Sequence, residues 1–475
     1  MAELVSCVDF GSTFTKAALV DVTDGRLVAT ASHRTTIDTD VLDGWDACLS
    51  ELVEVDSRAA EAPVLARSSA GGGLRIAVVG NEELVTSEAG RRVALSSGGR
   101  VVHVASGVLE EETFAPVAAS EPDVILLVGG TDGGNSEVLL SNAAYLHGEC
   151  WPGPVVVAGN VDAREQVAFE LIESGTPYVL ADNVVPRIGV LAPESARAAI
   201  REMFLRHVIG GKHLSRRADF TAMVRGATPD VVLTAVELLA RGLDDDRSGA
   251  GDVVVVDVGG ATTDVHSMVE IDPEDAGLSR QVVAAAPMTR TVEGDLGMRW
   301  SAVSTVEEGV AAGLLDAAAA ERLAGAAARR QSDPAYLPAG SSTDGSDDSS
   351  LDGSSGETDR EDDRSIAAVA VAVALRRHAG RSQVVLDPRG RVVERTGKDL
   401  REVDLLIGSG GVLRHDRAGV DGAAEVLCRH LGNGAGWQLP EHPRVVVDRD
   451  YVLAAGGLLA AEHPGAAYSL LQTLL

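Results

Sequence analysis

Short apolar blocks separated by polar punctuation open the chain. Leu4–Phe10 reads as a strand, residues 15–21 as a second, the turn Thr23-Asp24-Gly25 reverses direction, and residues 26–31 form a third. Helical periodicity follows at 43–55, and residues 74–80 and 101–104 predict further strands. After Pro122 come "DVILLVGGTDGGN", a helical "SEVLLSNAAYL" and "GPVVVAGN". Both strands in this stretch are continuous apolar runs rather than alternating ones, which predicts a β-α-β unit with parallel, doubly covered strands. Helical patterning dominates 163–241, interrupted by short strands such as 178–180, and "GLDDDRSGAG" at 242–251 reads as a linker. The second half reopens with a strand at 253–258, a turn at Gly259-Gly260 and a returning strand at 263–269. It then predicts a helix at 366–378, strands at 403–407 and 445–447, and a helix at 452–461.

Residues 331–364 differ in kind. Their "SSTDGSDDSSLDGSSGETDREDD" has no apolar face, so no packed core offsets its ordering entropy. The expectation is a disordered acidic insertion within the second domain, excluded from the ordered fold.

A chain of 475 residues exceeds the size of one core, so two domains are expected, 1–246 and 247–475, the first with an inserted subdomain. Hydrophobic residues make up 45% and mean hydropathy is +0.09, which rules out global disorder. A formal charge of −30 argues against nucleic acid and anionic membrane as partners. No signal peptide is visible at the start, and the apolar run 366–375 is about half of the ~20 residues a membrane span needs. Cys7, Cys48, Cys150 and Cys428 show no CxxC spacing, which suits a cytoplasmic protein and core thiols rather than zinc or redox chemistry.

One pattern is written twice. "CVDFGSTFTK" begins at Cys7 and "VVDVGGATTD" begins at Val255; superposed, Asp9 meets Asp257, Gly11 meets Gly259 and Thr15 meets Thr263. In each copy an apolar strand delivers an acid, a small-residue turn exposes backbone N–H groups, and hydroxyls follow. Such N–H groups and hydroxyls bind phosphate oxygens, and the acid holds hydrated Mg2+ against them. Two such hairpins make sense as a clamp on one polyphosphate.

These two segments resemble the first and second phosphate motifs of the actin, sugar kinase and Hsp70 superfamily. "LLIGSGGVLRH" (405–415) resembles its adenosine motif and "VVVDRDYVLAAGGLLA" (445–460) its second connecting segment. The resemblance implies an α/β fold of two actin-like lobes, each a ribonuclease H-like β-β-β-α-β-α-β domain, with a nucleotide cleft between them. Within the superfamily, "SSAGGGLRIAVVG" (68–80), "VILLVGGTDGGN" (124–135) and "TVEGDLGMRWS" (291–301) resemble the family associated with adenosylcobalamin-dependent glutamate mutase, called GlmL or MutL. That implies a chaperone-like, slow ATPase that restores a cobalamin mutase, with ATP/ADP and Mg2+ as cofactors, mutase subunits as partners and homo-oligomerisation left open. Carried over by residue, Asp9 and Asp257 stand beside the metal and its waters as the catalytic acids. Gly11, Ser12 and Thr13, then Gly259, Gly260, Thr262 and Thr263, contact phosphates. Lys16 brings positive charge, and Gly408, Gly410 and Gly411 face the nucleoside. Asp264 stands where the first copy has Lys16, so the halves are not chemically equivalent.

Other motifs fail. "GGTDGGNS" (129–136) has Asn135 where a P-loop needs Lys, and "GSGGVL" at Gly408 lacks the third glycine of a dinucleotide fingerprint. "DVHSMV" (264–269) has Val269 where the cobalamin-ligating DxHxxG signature needs glycine, leaving His266 as an ordinary strand residue. The GGTDGGN loop stays open between structural turn and functional loop, and Asp9, Asp257 and Asp132 all remain open as the acid that orients the attacking water. The competing readings are a small-molecule kinase of the same fold and an actin-like filament protein. An iron-sulfur dehydratase activator is disfavoured by the lack of paired cysteines.

Overall fold

The structure, a computed structural model, describes residues 3–69, 74–209, 214–217, 219–270, 286–334, 336–338, 353–387, 390–416, 418–431 and 436–475. The chain divides into two units: Met1–Leu238 with Gln281–Thr289 and Leu453–Leu471, and Leu239–Arg280 with Arg290–Val452 and Gln472–Leu475.

In the first unit the strands are β1 (Leu4–Phe10), β2 (Phe14–Asp21), β3 (Arg26–Arg34), β4 (Val64–Ser68), β5 (Leu74–Gly80), β6 (Gly99–Ser106), β7 (Val124–Leu127), β8 (Val155–Val157), β9 (Tyr178–Leu180) and β10 (Val224–Ala227). They form two sheets. The first has the order β10-β4-β1-β2-β3, with β1 antiparallel to β2 and parallel to β4. Every residue of β1 is buried, which is why its sequence reads as an apolar block, whereas β3 is an edge with mostly exposed positions. The β2–β3 turn closes with the Gly25 N–H donating to Asp21 O, at a φ of +78° that favours glycine. A β-carbon on Gly25 would lie 2.5 Å from Ala466 O, so the helix Pro464–Leu471 packs directly on this turn.

The second sheet has the order β6-β5-β7-β8-β9 and is parallel throughout. It is inserted between β4 and β10. Ile76, Val78, Leu126 and Val156 face the core shared with the first sheet, while Ala77, Val79, Ile125, Leu127 and Val155 face a second core. Burial on both faces explains the uninterrupted apolar runs. The chain leaves β5 toward β6 on one side and β7 on the other, a doubly wound order whose switch point lies between β5 and β7.

The second unit holds β11 (Gly242–Asp244), β12 (Arg247–Ser248), β13 (Val253–Val258), β14 (Thr263–Met268), all but the first two residues of β15 (Met288–Glu293), β16 (Arg381–Asp387), β17 (Gly390–Thr396), β18 (Leu405–Ser409) and β19 (Arg444–Val447). Its main sheet runs β15-β14-β13-β18-β19, with β13 antiparallel to β14 and parallel to β18. This repeats the order β3-β2-β1-β4-β10, so the duplicated ribonuclease H-like topology expected from the sequence is present in both units. The expected linker at 242–251 contains the β11–β12 hairpin.

The acidic insertion needs correcting. Gln331 and Ser332 finish the helix Ala317–Ser332, and residues 353–364 begin the helix Gly353–His378; residues 335 and 339–352 lie outside the described residues. The acids of 359–363 meet arginines spaced along the preceding helix: Arg322 with Asp362, Arg329 with Asp359 at 3.3 Å, and the fully buried Arg330 with Asp363 at 2.6 Å. Order comes here from paired charge rather than from an apolar face. Downstream, Ile366 to Leu375 are all at most 4% exposed, as expected of a buried helix. Among the described residues no helix is long and apolar enough to cross a membrane.

Candidate functional site

The two hairpins fold alike down to the turn. In the first, the Gly11 N–H donates to Phe14 O at 3.1 Å; in the second, the Gly259 N–H donates to Thr262 O at 2.9 Å. A β-carbon would sit 2.6 Å from Phe14 O at Gly11 and 2.8 Å from Thr262 O at Gly259, so sterics demand glycine at both positions. Among the described residues, the amides of Ser12 and Thr13 and of Gly260 and Ala261 have no hydrogen-bond acceptor. Ser12 and Thr13 are exposed, so their hydroxyls and amides are presented to solvent together, the type of donor set that an anion can use.

The second turn is braced from behind. The amides of Met298, Arg299 and Trp300 donate to the carbonyls of Gly259 and Gly260, and Ser301 Oγ donates to Ala261 O at 2.7 Å. Gly297 permits this, since a β-carbon there would lie 2.7 Å from the Ala261 carbonyl carbon. The segment "GDLGMRWS" thus fixes the turn's carbonyls on one side.

The acids of the two copies have different neighbours. Asp9 pairs across the sheet with Lys16 on β2 and Arg67 on β4. Arg67 Nη2 donates to Asp9 Oδ2 at 3.0 Å and Thr228 Oγ1 donates to Asp9 Oδ1 at 2.9 Å, with both ion-pair partners buried. Burial is the largest influence on the Asp9 carboxyl and pushes it up, but the charges of Arg67 and Lys16 and the two hydrogen bonds outweigh it and hold it below the usual range. Asp257 instead pairs across the sheet with Asp264 on β14 and Ser409 on β18. It is half-buried and accepts no hydrogen bond or ion pair among the described residues. Arg290 Nη2 donates to Asp264 at 3.2 Å. Burial raises the Asp264 carboxyl, Arg290 opposes this, and the Asp257 charge adds to it. The first hairpin therefore sets two cations beside one acid, whereas the second sets two acids side by side, with Arg290 bonded to Asp264 and the Arg414 charge acting on Asp257 from further away.

This contrast bears on Mg2+. No group of three or more His, Cys, Asp or Glu among the described residues could hold an ion unaided, so a magnesium here would complete its shell with water and phosphate. Asp257 fits such an ion, being a carboxylate that makes no ion pair among the described residues and feels the Arg414 charge only at longer range. Asp9 fits it less well than the sequence suggests, because its two oxygens are engaged by Arg67 and Thr228.

Other expected site residues sort as follows. Thr263 is fully buried, and its hydroxyl has no partner among the described residues; Thr262 is half-buried beside the turn. Gly408 makes room for packing, since a β-carbon would meet Leu427 at 2.7 Å and Leu413 at 2.9 Å. Gly410 lies at φ +104°, where a β-carbon would sit 2.2 Å from Val258 O and press on the end of β13. Gly411 alone of the three opens on empty space. Sequence reasoning missed Arg67, Thr228, Arg290 and the bracing at 297–301; a charged residue closing the buried strand β4 was the one visible signal.

The GGTDGGN loop follows β7 at the switch point. Asp132 Oδ1 accepts from Asn183 Nδ2 at 2.8 Å and from the Val161 N–H at 3.2 Å, and the Gly133 N–H donates to Asp162 at 2.9 Å. Asn160 donates to the carbonyls of Gly134 and Asn135. Asp132 is thereby built into the loop's own framework, which argues against its use on an attacking water. His266 is a buried residue of β14.

A model of the MutL protein family matches residues 5–475, the hairpins and the insert included. The chain belongs to the MutL family. It is 34% identical over 491 residues to Protein MutL of Clostridium tetanomorphum, with 98% of each chain covered. This is the family expected from the sequence segments quoted above. Among solved structures, the chain is similar to nucleotide-free acetone carboxylase (13% identity, TM-score 0.38, covering 97% of this chain and 71% of that one). It is also similar to the xylulose kinase of Rhodospirillum rubrum (15% identity, TM-score 0.34, 98% and 91%). At these scores the likeness carries no argument about the site. The MutL-family assignment rests on the sequence match, and the chemistry rests on the residues above.

Proposed function

We propose that this MutL-family chain binds ATP with Mg2+, hydrolyses it slowly, and uses the nucleotide state to restore an adenosylcobalamin-dependent mutase whose cofactor has been inactivated. The observation that carries the reading is the recurrence, in two sheets of the same strand order, of one turn geometry with opposite charge balance. A polyphosphate bound to a cation needs those two environments. The cation-rich hairpin offers phosphate oxygens the amides and hydroxyls of Ser12 and Thr13, while the acid-rich one offers Asp257 to the waters of a metal ion. Bound Mg2+ would neutralise charge on the phosphates. The amides of Gly260 and Ala261 add donors, and Gly411 leaves room for the nucleoside.

The nucleotide acts by differential affinity. ATP makes γ-phosphate contacts that ADP lacks, and the free-energy difference is what the protein can deliver to a partner. The resemblance to the glutamate mutase-associated family supports a cobalamin mutase as that partner. The test is recovery of a cobalamin-inactivated mutase by the purified chain. Recovery should require ATP and be abolished by Asp257→Ala; recovery without nucleotide, or a fully active Asp257→Ala protein, would overturn the reading.

A further inference from the structure

The first hairpin carries a cation that no phosphate motif names. We propose that Arg67 is the residue that senses phosphate: it holds Asp9 when nucleotide is absent and exchanges that carboxylate for a phosphate oxygen when nucleotide is bound. The inference rests on the ATP-binding reading above and deepens it.

Four observations converge on Arg67. It stands opposite Asp9 in the β1–β4 register, with its guanidinium 3.0 Å from that carboxylate, and is only 4% exposed. Its donors are poorly used: besides the Asp9 bond there is a long 3.4 Å contact from Nη1 to Thr228 O, and Nε is buried with no hydrogen-bond partner among the described residues. Five donors in a fork match a phosphate better than this environment does. Asp9 would not be stranded by the exchange, because Thr228 Oγ1 caps its other oxygen and Lys16 lies across the strand pair. Finally, the corresponding position of the second unit is Ser409, so the guanidinium belongs to one copy alone.

The experiment is calorimetric titration of the full chain with ATP, ADP and adenosine, each with Mg2+ and with chelator. The proteins are wild type, Arg67→Lys, Arg67→Gln and the double variant Asp9→Asn/Arg67→Gln, which removes both ion-pair partners so that neither is left as an orphan. ATP affinity should fall about ten- to a hundredfold in Arg67→Gln, as for loss of a hydrogen bond to a charged group, with partial rescue in Arg67→Lys. Adenosine affinity should not change, and the loss should persist with chelator and in the double variant. Equal losses for ATP and adenosine would mark Arg67 as structural and overturn the proposal, as would unchanged ATP affinity in Arg67→Gln. If wild type takes up no ATP, the ATP-binding reading itself fails; if wild type binds and Arg67→Gln binds equally, only the role of Arg67 fails.

Discussion

Replacing Asp363 with Ala strips Arg330 of its carboxylate partner. Arg330 is 0% exposed, donates Nε to Asp363 at 2.6 Å, donates also to the carbonyls of Ala326 and Asp359, and lies over the Tyr336 ring at 5.5 Å, none of which replaces a carboxylate. Removing one member of a buried pair costs about 3 to 5 kcal/mol, because the remaining charge has no solvent and no counter-ion. Arg299 lies 3.6 Å from the same carboxylate and loses a partner as well. The cost falls on the contact between the helices Ala317–Ser332 and Gly353–His378. It should therefore appear as faster amide hydrogen exchange over 356–364 and along the earlier helix, by about two to four orders of magnitude. Hydrogen-exchange mass spectrometry reads this peptide by peptide. The double variant Arg330→Met/Asp363→Leu, which removes both charges, should recover most of the protection. If residues 356–364 already exchange freely in wild type, or if Asp363→Ala changes nothing, the paired-charge account of this segment is wrong.

Further outcomes follow from buried groups elsewhere. In the second unit, Lys398 Nζ donates to Ser267 Oγ, which lies 2.7 Å from His378 Nε2, and Thr291 Oγ1 lies 3.0 Å from His378 Nδ1. Burial, against the charges of Asp252 and Glu270, brings Lys398 from its ordinary 10.5 down to about 7. Burial and the Lys398 charge bring His378 from 6.5 to about 3. In both windows the unfolded chain binds more protons, so stability rises with pH, by about 5 kcal/mol across the Lys398 window from 7 to 10.5. Denaturant midpoints measured against pH should climb in wild type and flatten above pH 7 in Lys398→Met; a slope retained in that variant would exclude Lys398 as its source. Gly411→Ala should leave thermal stability within about 0.5 kcal/mol of wild type while weakening ATP binding. Gly408→Ala should destabilise by about 1 to 3 kcal/mol through overpacking against Leu427. Calorimetry and thermal melts of the pair separate ligand space from packing, and the reverse pattern would refute the assignment.

Both hairpins were legible because each begins as a buried apolar strand and bends at a glycine that only one turn geometry explains. The parallel insert was legible for a related reason: strands covered on both faces cannot alternate. What escaped was pairwise. Nothing local in "VLARS" tells that Arg67 stands beside Asp9, because the register joining β4 to β1 is set by the fold. Nothing in "DREDD" tells that arginines some thirty residues earlier present matching charge at helical spacing, so a segment without an apolar face was read as disordered. Gly408 misled in the opposite direction: it sits in a nucleotide-like motif, yet two leucines occupy the space it leaves. The β16–β17 hairpin, whose short apolar runs Val384-Val385-Leu386 and Val392-Val393 are flanked by polar residues with no turn punctuation beyond Pro388 and Gly390, has no clear period in the sequence.

The central claim is that the two hairpins serve one nucleotide. The most direct measurement is ATP·Mg2+ titration of wild type, Arg67→Gln and Asp257→Asn by calorimetry. The account predicts one ATP per chain in wild type, weakened by a substitution in either hairpin, with Asp257→Asn losing chiefly the gain in affinity that Mg2+ confers. Two independent sites, each sensitive to its own hairpin alone, or ATP binding indifferent to both substitutions, would contradict it.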